Sequence, residues 1–175
     1  MLIECTKKLS EAMKIKLSPY NETKADPFFE WHANLFMLYR RKGVLLMNNK
    51  TRYCIVLYGL RTEHFKQLDT IVLDAIRETF LVEGLAKEAV EAYIEDCGHV
   101  EYTKTHNRSV LGQMKDFDIS ISWEIENHLP NSNLNLVSLN HWIGCKLMCG
   151  TLNYVNPIDL LRKEFEDVYQ CLNYL

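Results

Sequence analysis

The chain has 175 residues, 47% hydrophobic and 25% charged, with a net charge of −3. That composition holds enough apolar material for a core without a disulfide or metal staple, so neither is required. The small negative excess excludes a surface coated in positive charge and the bulk attraction to nucleic acid that goes with one.

Leu2–Cys5 reads as a short strand, and Thr6 as the cap of a short helix that turns Leu9, Ala12 and Met13 inward. Residues 18–30, with Pro19, Asn21 and Pro27, form a loop. From Trp31 the pattern is period two: His32, Asn34 and Arg40 share one side, and Trp31, Ala33 and Leu35 the other. Val44–Met47 and Tyr53–Tyr58 flank Asn48–Arg52, which predicts a hairpin. Both runs are so apolar that the hairpin is expected at the centre of a sheet, covered on both faces.

After Gly59 the period becomes helical. Thr62 is the expected cap of a long helix ending at Glu83–Gly84, and a second helix closes at Gly98. Residues 99–103 return to strand spacing. Residues 108–127 alternate in part, yet an Asn107 cap, the length and the lack of proline favour a helix. A polar loop from Asn127 to Asn135 follows, and residues 147–154 are expected to add an edge strand. Asn156–Pro157 opens a final helix with Ile158, Leu161, Phe165, Val168 and Leu172 inward. The order β-α-β-β-β-α-α-β-α-(β)-α predicts an α+β fold over residues 1–175, one domain of helices packed on a mostly antiparallel sheet.

No apolar run approaches membrane-spanning length, so no membrane partner is expected. Met1-Leu2-Ile3-Glu4 is charged too early for a secretory signal. The scattered cysteines, Cys5, Cys54, Cys97, Cys145, Cys149 and Cys171, sit mostly in apolar patterns and suit reduced thiols in a cytoplasmic protein.

The segments Ile3-Glu4-Cys5-Thr6-Lys7-Lys8, Trp31-His32-Ala33-Asn34-Leu35-Phe36, Arg52–Gly59, Ala75–Phe80 and Asn107-Arg108-Ser109-Val110-Leu111-Gly112 stand in this order along the chain. Together they resemble a bacterial domain-of-unknown-function family found in chromosomal, plasmid and phage-related genes. The resemblance implies one domain in a bacterial cytosol. It carries over no activity and no catalytic residues.

Three groups of residues stand out chemically. Lys104, His106 and Arg108, with Asn107 and Ser109 as added donors, mark a basic hinge between strand and helix, where an anion would meet side-chain cations and helix N-terminal amides. The plain alternative is a capping loop with solvated charges. His32 and Asn34, near Arg40, Arg41 and Arg52, offer a polar sheet face, and His32 with His106 would be the acid–base pair of a metal-independent nuclease if the fold joined them. His141, Cys145 and Cys149 recur every four residues, a weak zinc candidate without the tight Cys-x2-Cys knuckle.

Glu83, Glu88, Glu91, Glu95 and Asp96 are expected on solvated helix faces. Glycine-rich phosphate loops, His-Glu-x-x-His and Gly-x-Ser-x-Gly are missing, so no cofactor and no resident metal is expected. The resulting expectation is a non-enzymatic protein that binds a macromolecular partner, a protein before a nucleic acid or nucleotide, as an inhibitor or regulator in a phage or plasmid defence or toxin setting. The alternative is a metal-independent nuclease, or a binder of a small nucleotide-like anion at the hinge. Tyr20 and Trp142 would suit the face of a homodimer.

Overall fold

The first strand, β1 (Leu2–Cys5), organises the sheet. It pairs in parallel with β2 (Glu30–Leu38) on one side and with β5 (Glu101–Lys104) on the other. In the computed structural model, which describes residues 1–21, 26–128, 135–146 and 155–170, two antiparallel strands complete the sheet: β3 (Arg41–Asn48) and β4 (Cys54–Leu60). The order β4-β3-β2-β1-β5 makes the sheet mixed but mostly antiparallel, as the sequence predicts. The hairpin strands are apolar because helices cover both of their faces. β4 nevertheless lies at an edge, and β2 is the central strand, which corrects the expected placement.

Among the described residues six helices pack on this sheet: α1 (Lys7–Met13), α2 (Leu68–Val82), α3 (Lys87–Cys97), α4 (Arg108–His128), α5 (Leu136–Lys146) and α6 (Pro157–Tyr169). Strand alternation sorts the core into two layers. On one face Ile3, Trp31, Val44, Leu46 and Ile55 meet Leu9, Val72, Phe80, Tyr93 and Phe165. On the other, Phe36, Leu45, Met47 and Val56 meet Val110, Met114, Phe117, Ile121 and Ile125 of α4, with Leu139 and Ile143 of α5. No helix among the described residues is long and apolar enough to cross a membrane.

Several boundaries differ from the sequence reading for local reasons. Thr62 does not cap a long helix. The chain first makes a 3-10 turn at His64–Gln67, where His64 Nδ1 accepts the Arg61 N–H at 3.1 Å, and α2 begins only at Leu68. Residues 108–127 are helical. Helix α5 has no counterpart in the sequence pattern: its glycine and β-branched residues give it a weak intrinsic signal, and packing against β4 and α2 sets its place. Arg40 sits in the β2–β3 turn at φ 60°, outside the strand and off the face it was assigned to. The expected strand at 147–154 lies outside the described residues. Asn156 and Pro157 do open α6, although the Asn156 side chain makes no capping bond.

Candidate functional site

Parallel pairing sets Glu4 of β1 beside His32 of β2 and Thr103 of β5, all on the sheet face that α4 covers. Glu4 and His32 are fully buried. A carboxylate in such a place needs partners, and Glu4 has three. Its Oε1 accepts from Asn49 Nδ2 at 2.8 Å. Its Oε2 accepts from the His106 backbone N–H at 2.9 Å and meets His106 Nδ1 at 2.6 Å. Glu4 thereby fastens the segment between β5 and α4 to the sheet.

The turn after β3 supplies the other half. Asn48 Oδ1 accepts the Lys50 and Thr51 N–H groups at 3.1 and 3.0 Å, an Asx-type turn that fixes the neighbouring Asn49. Asn49 Nδ2 donates to Glu4 and also to Glu30 Oε2, at 3.2 Å. An amide nitrogen that faces two carboxylates turns its oxygen the other way, and Asn49 Oδ1 lies 2.6 Å from His32 Nδ1. His32 therefore carries its proton on Nδ1. The opposite nitrogen, Nε2, stands 3.2 Å from Glu4 Oε2 and makes no hydrogen bond. Burial holds the His32 imidazole below the ordinary histidine value, against the pull of Glu4.

His32 and His106 are thus brought together, with ring centroids 6.1 Å apart. They meet through Glu4, and only one of them reaches solvent: the His106 side chain is 40% exposed. Tyr20 stacks on the His106 ring at 3.6 Å between centroids and is half-buried there, so it is not the free aromatic that a dimer face was expected to use. Trp142 is likewise half-buried, against the α4–α5 layer.

The remaining hinge residues divide. Asn107 caps α4, its Oδ1 accepting the Ser109 and Val110 N–H groups at 3.0 and 3.3 Å, so the capping role is realised. Arg108 and Ser109 are exposed in the first turn of α4. Lys104 pairs with Cys5, which places it on the face opposite Glu4, and the hinge does not gather all of its charges at one point. Asn34 lies on the face of His32 but serves the Thr6 hydroxyl, which donates to its Oδ1 at 3.0 Å.

A second cluster forms around Glu83, which is buried rather than solvated. Tyr53 donates to Glu83 Oε1 at 2.5 Å, and His141 Nδ1 lies 3.0 Å from Oε2. Cys145 Sγ lies 3.7 Å from either nitrogen of His141, one helical turn away on α5. Cys149 lies outside the described residues. In each cluster, Glu4–His32–His106 and Glu83–His141–Cys145, three potential ligand atoms lie within 4.8 Å of one another.

The family model described as Domain of unknown function (DUF6933) matches residues 2–160. The chain belongs to the DUF6933 family. No curated protein matches it. The matched span of this DUF6933 chain contains every residue of both clusters. His32 and His106 stand out in the sequence by their chemistry, whereas Glu4, Glu30 and Asn49 join them only through the fold. A lone charge inside an otherwise apolar first strand was the one local signal that pointed to Glu4.

Proposed function

We propose that this DUF6933 protein is a non-enzymatic interaction protein that binds a protein partner across the outer face of α4, beginning at the hinge. The observation that supports this reading is the pair Ile119 and Trp123, one helical turn apart and 69% and 62% exposed. Single exposed apolar residues are ordinary, but an adjacent isoleucine and tryptophan on one stripe make a compact apolar patch. Tryptophan is also the side chain whose burial contributes most at interface centres.

The same stripe carries Arg108, Gly112, Lys115 and Glu126, all exposed and at helical spacing from the pair. Its inner counterpart, Val110, Met114, Phe117, Ile121 and Ile125, is buried. The stripe therefore runs from a basic end at the hinge to an apolar centre, and the matching partner surface is an apolar pocket with acidic groups on the hinge side. A bacterial regulator or inhibitor in a phage or plasmid defence or toxin setting fits the family resemblance and belongs to this proposal.

A second reading places a nucleotide-like anion at the hinge. It draws on the exposed His106 ring, stacked on Tyr20 two residues before Arg108.

The two readings separate by capture from bacterial lysate with wild-type protein, Trp123→Ala/Ile119→Ala and Arg108→Ala/His106→Ala. A stoichiometric protein retained by the wild type and lost with the apolar pair supports the proposal. Retention of the same partner by the Trp123→Ala/Ile119→Ala variant refutes it. Nucleic acid lost only in the Arg108→Ala/His106→Ala variant favours the anion reading.

A further inference from the structure

We propose that Glu4, His32 and His106 form a binding site for one divalent transition-metal ion of the zinc class, which ties the lead-in of α4 to β1 and β2. This inference stands whether or not α4 meets a partner.

Asn49 fixes the proton of His32 on Nδ1, because its own amide nitrogen is committed to the carboxylates of Glu4 and Glu30. In the neutral ring Nε2 then carries a bare lone pair. That lone pair faces a carboxylate oxygen 3.2 Å away, in a place closed to water, with no hydrogen bond to relieve the repulsion. A cation between the two groups turns the repulsion into shared ligation. An oxygen acceptor behind a ligating histidine is also the usual outer-shell partner that orients the ring and sets its tautomer.

The spacing fits. Ligand atoms about 2.0–2.1 Å from a tetrahedral zinc stand about 3.4 Å from one another. Glu4 Oε2 and His32 Nε2 already have that separation within a few tenths of an ångström, at 3.2 Å. His106 Nδ1, at 2.6 Å from the same oxygen, has to move outward by less than an ångström, and its ring lies on the solvent side, where such a shift is least resisted. Two imidazoles and a carboxylate favour zinc, cobalt or nickel over the oxygen-seeking magnesium and calcium. His106 is the one exposed member of the three, so a fourth ligand would enter from its side.

The test uses the full chain stripped with chelator and titrated with cobalt and with zinc, comparing wild type, His106→Ala and His141→Ala. His106→Gln is the substitute should His106→Ala fail to fold by circular dichroism. The expected result is cobalt absorption of a tetrahedral nitrogen–oxygen site without a thiolate charge-transfer band. Zinc affinity should fall by about 100-fold or more in the His106 variant, beyond the range of outer-shell changes, and be retained in His141→Ala. The inference is overturned if the wild type takes up no metal or if His106 variants bind as the wild type does. A thiolate band that disappears with His141→Ala, with no nitrogen–oxygen site besides, also overturns it, since that places the metal at Glu83 and Cys145.

Discussion

Replacing Glu4 with glutamine keeps the shape of the side chain and removes its symmetry as an acceptor. Glu4 receives donors at both oxygens: Asn49 Nδ2 on Oε1, and the His106 backbone and ring nitrogens on Oε2. A glutamine has one oxygen. With its N–H group toward Asn49 the glutamine confronts a donor across 2.8 Å; turned the other way it confronts the His106 backbone and ring nitrogens across 2.9 and 2.6 Å, while one N–H faces the bare His32 Nε2 at 3.2 Å. A hydrogen bond to a charged group contributes about 1.5–3 kcal/mol and a stranded buried donor costs about 1–3 kcal/mol. Part of that is offset, because the variant no longer buries a charge. The N–H donated to His32 Nε2 offsets a further share, so a net loss of about 2–3 kcal/mol results, still a large part of a typical domain stability of about 5–15 kcal/mol.

The His106→Ala variant keeps the backbone N–H on Glu4 and loses only the ring, so its cost is about 1–2 kcal/mol. With the ring donor gone, the glutamine amide meets one conflict fewer, and the double variant is predicted to be about 1 kcal/mol less destabilised than the sum of the singles. Urea denaturation of the four proteins, read by circular dichroism, measures the cycle. An Glu4→Gln cost below about 1 kcal/mol, or additivity within the usual ~0.3–0.5 kcal/mol of independent sites, refutes the assignment of Glu4 as the clamp of the hinge.

Two helical glycines, Gly112 of α4 and Gly144 of α5, respond in opposite directions. A Cβ on Gly144 falls 2.4 Å from Cε2 of Tyr53, whose hydroxyl is held by Glu83, so Gly144→Ala destabilises by about 1–3 kcal/mol, whereas Gly112, with open space around it, gains about 0.5–1 kcal/mol as alanine; equal shifts in urea midpoint contradict this packing. Asp118 is pushed above the ordinary aspartate value by burial, against the pull of Lys8, and its Oδ1 has no hydrogen-bond partner. A raised folded value makes the favourable contribution complete below the unfolded value and lost as pH rises through the folded one, so Asp118→Asn is more stable than wild type at about pH 7, with the gap closing toward about pH 4. A gap that does not change with pH rules this out. Burial pushes the Cys5 and Cys97 thiols up to about 12, so alkylation of the native protein near neutral pH leaves both unmodified by mass spectrometry; labelling at the rate of the unfolded chain shows them to be open.

What could be read from the sequence was what local chemistry determines. Asn156–Pro157 opens α6 because a proline at the first helical position sacrifices no hydrogen bond. The apolar runs around Asn48–Arg52 specify a hairpin, although they do not reveal that β4 is an edge covered by α5. Helix α5 has a weak local signal because Gly144, poor in a helix, is there to let the backbone approach Tyr53. Glu83 looked like a surface charge on the helical pattern and is buried because Tyr53 and His141 come to it from other elements. The site depends most on long-range contacts. Glu4 and His106 are 102 positions apart and meet through the pairing of β1 with β5, which no local pattern encodes. The two histidines were visible as chemistry, but the carboxylate that joins them was not.

The orientation of His32 is the point on which the site turns, and nitrogen-15 NMR of the histidine rings reads it directly. Metal-free protein is expected to show His32 protonated on Nδ1 alone, and zinc is expected to move the His32 Nε2 resonance while Nδ1 keeps its proton. A His32 ring protonated on Nε2, or an Nε2 resonance that does not respond to zinc, contradicts this expectation.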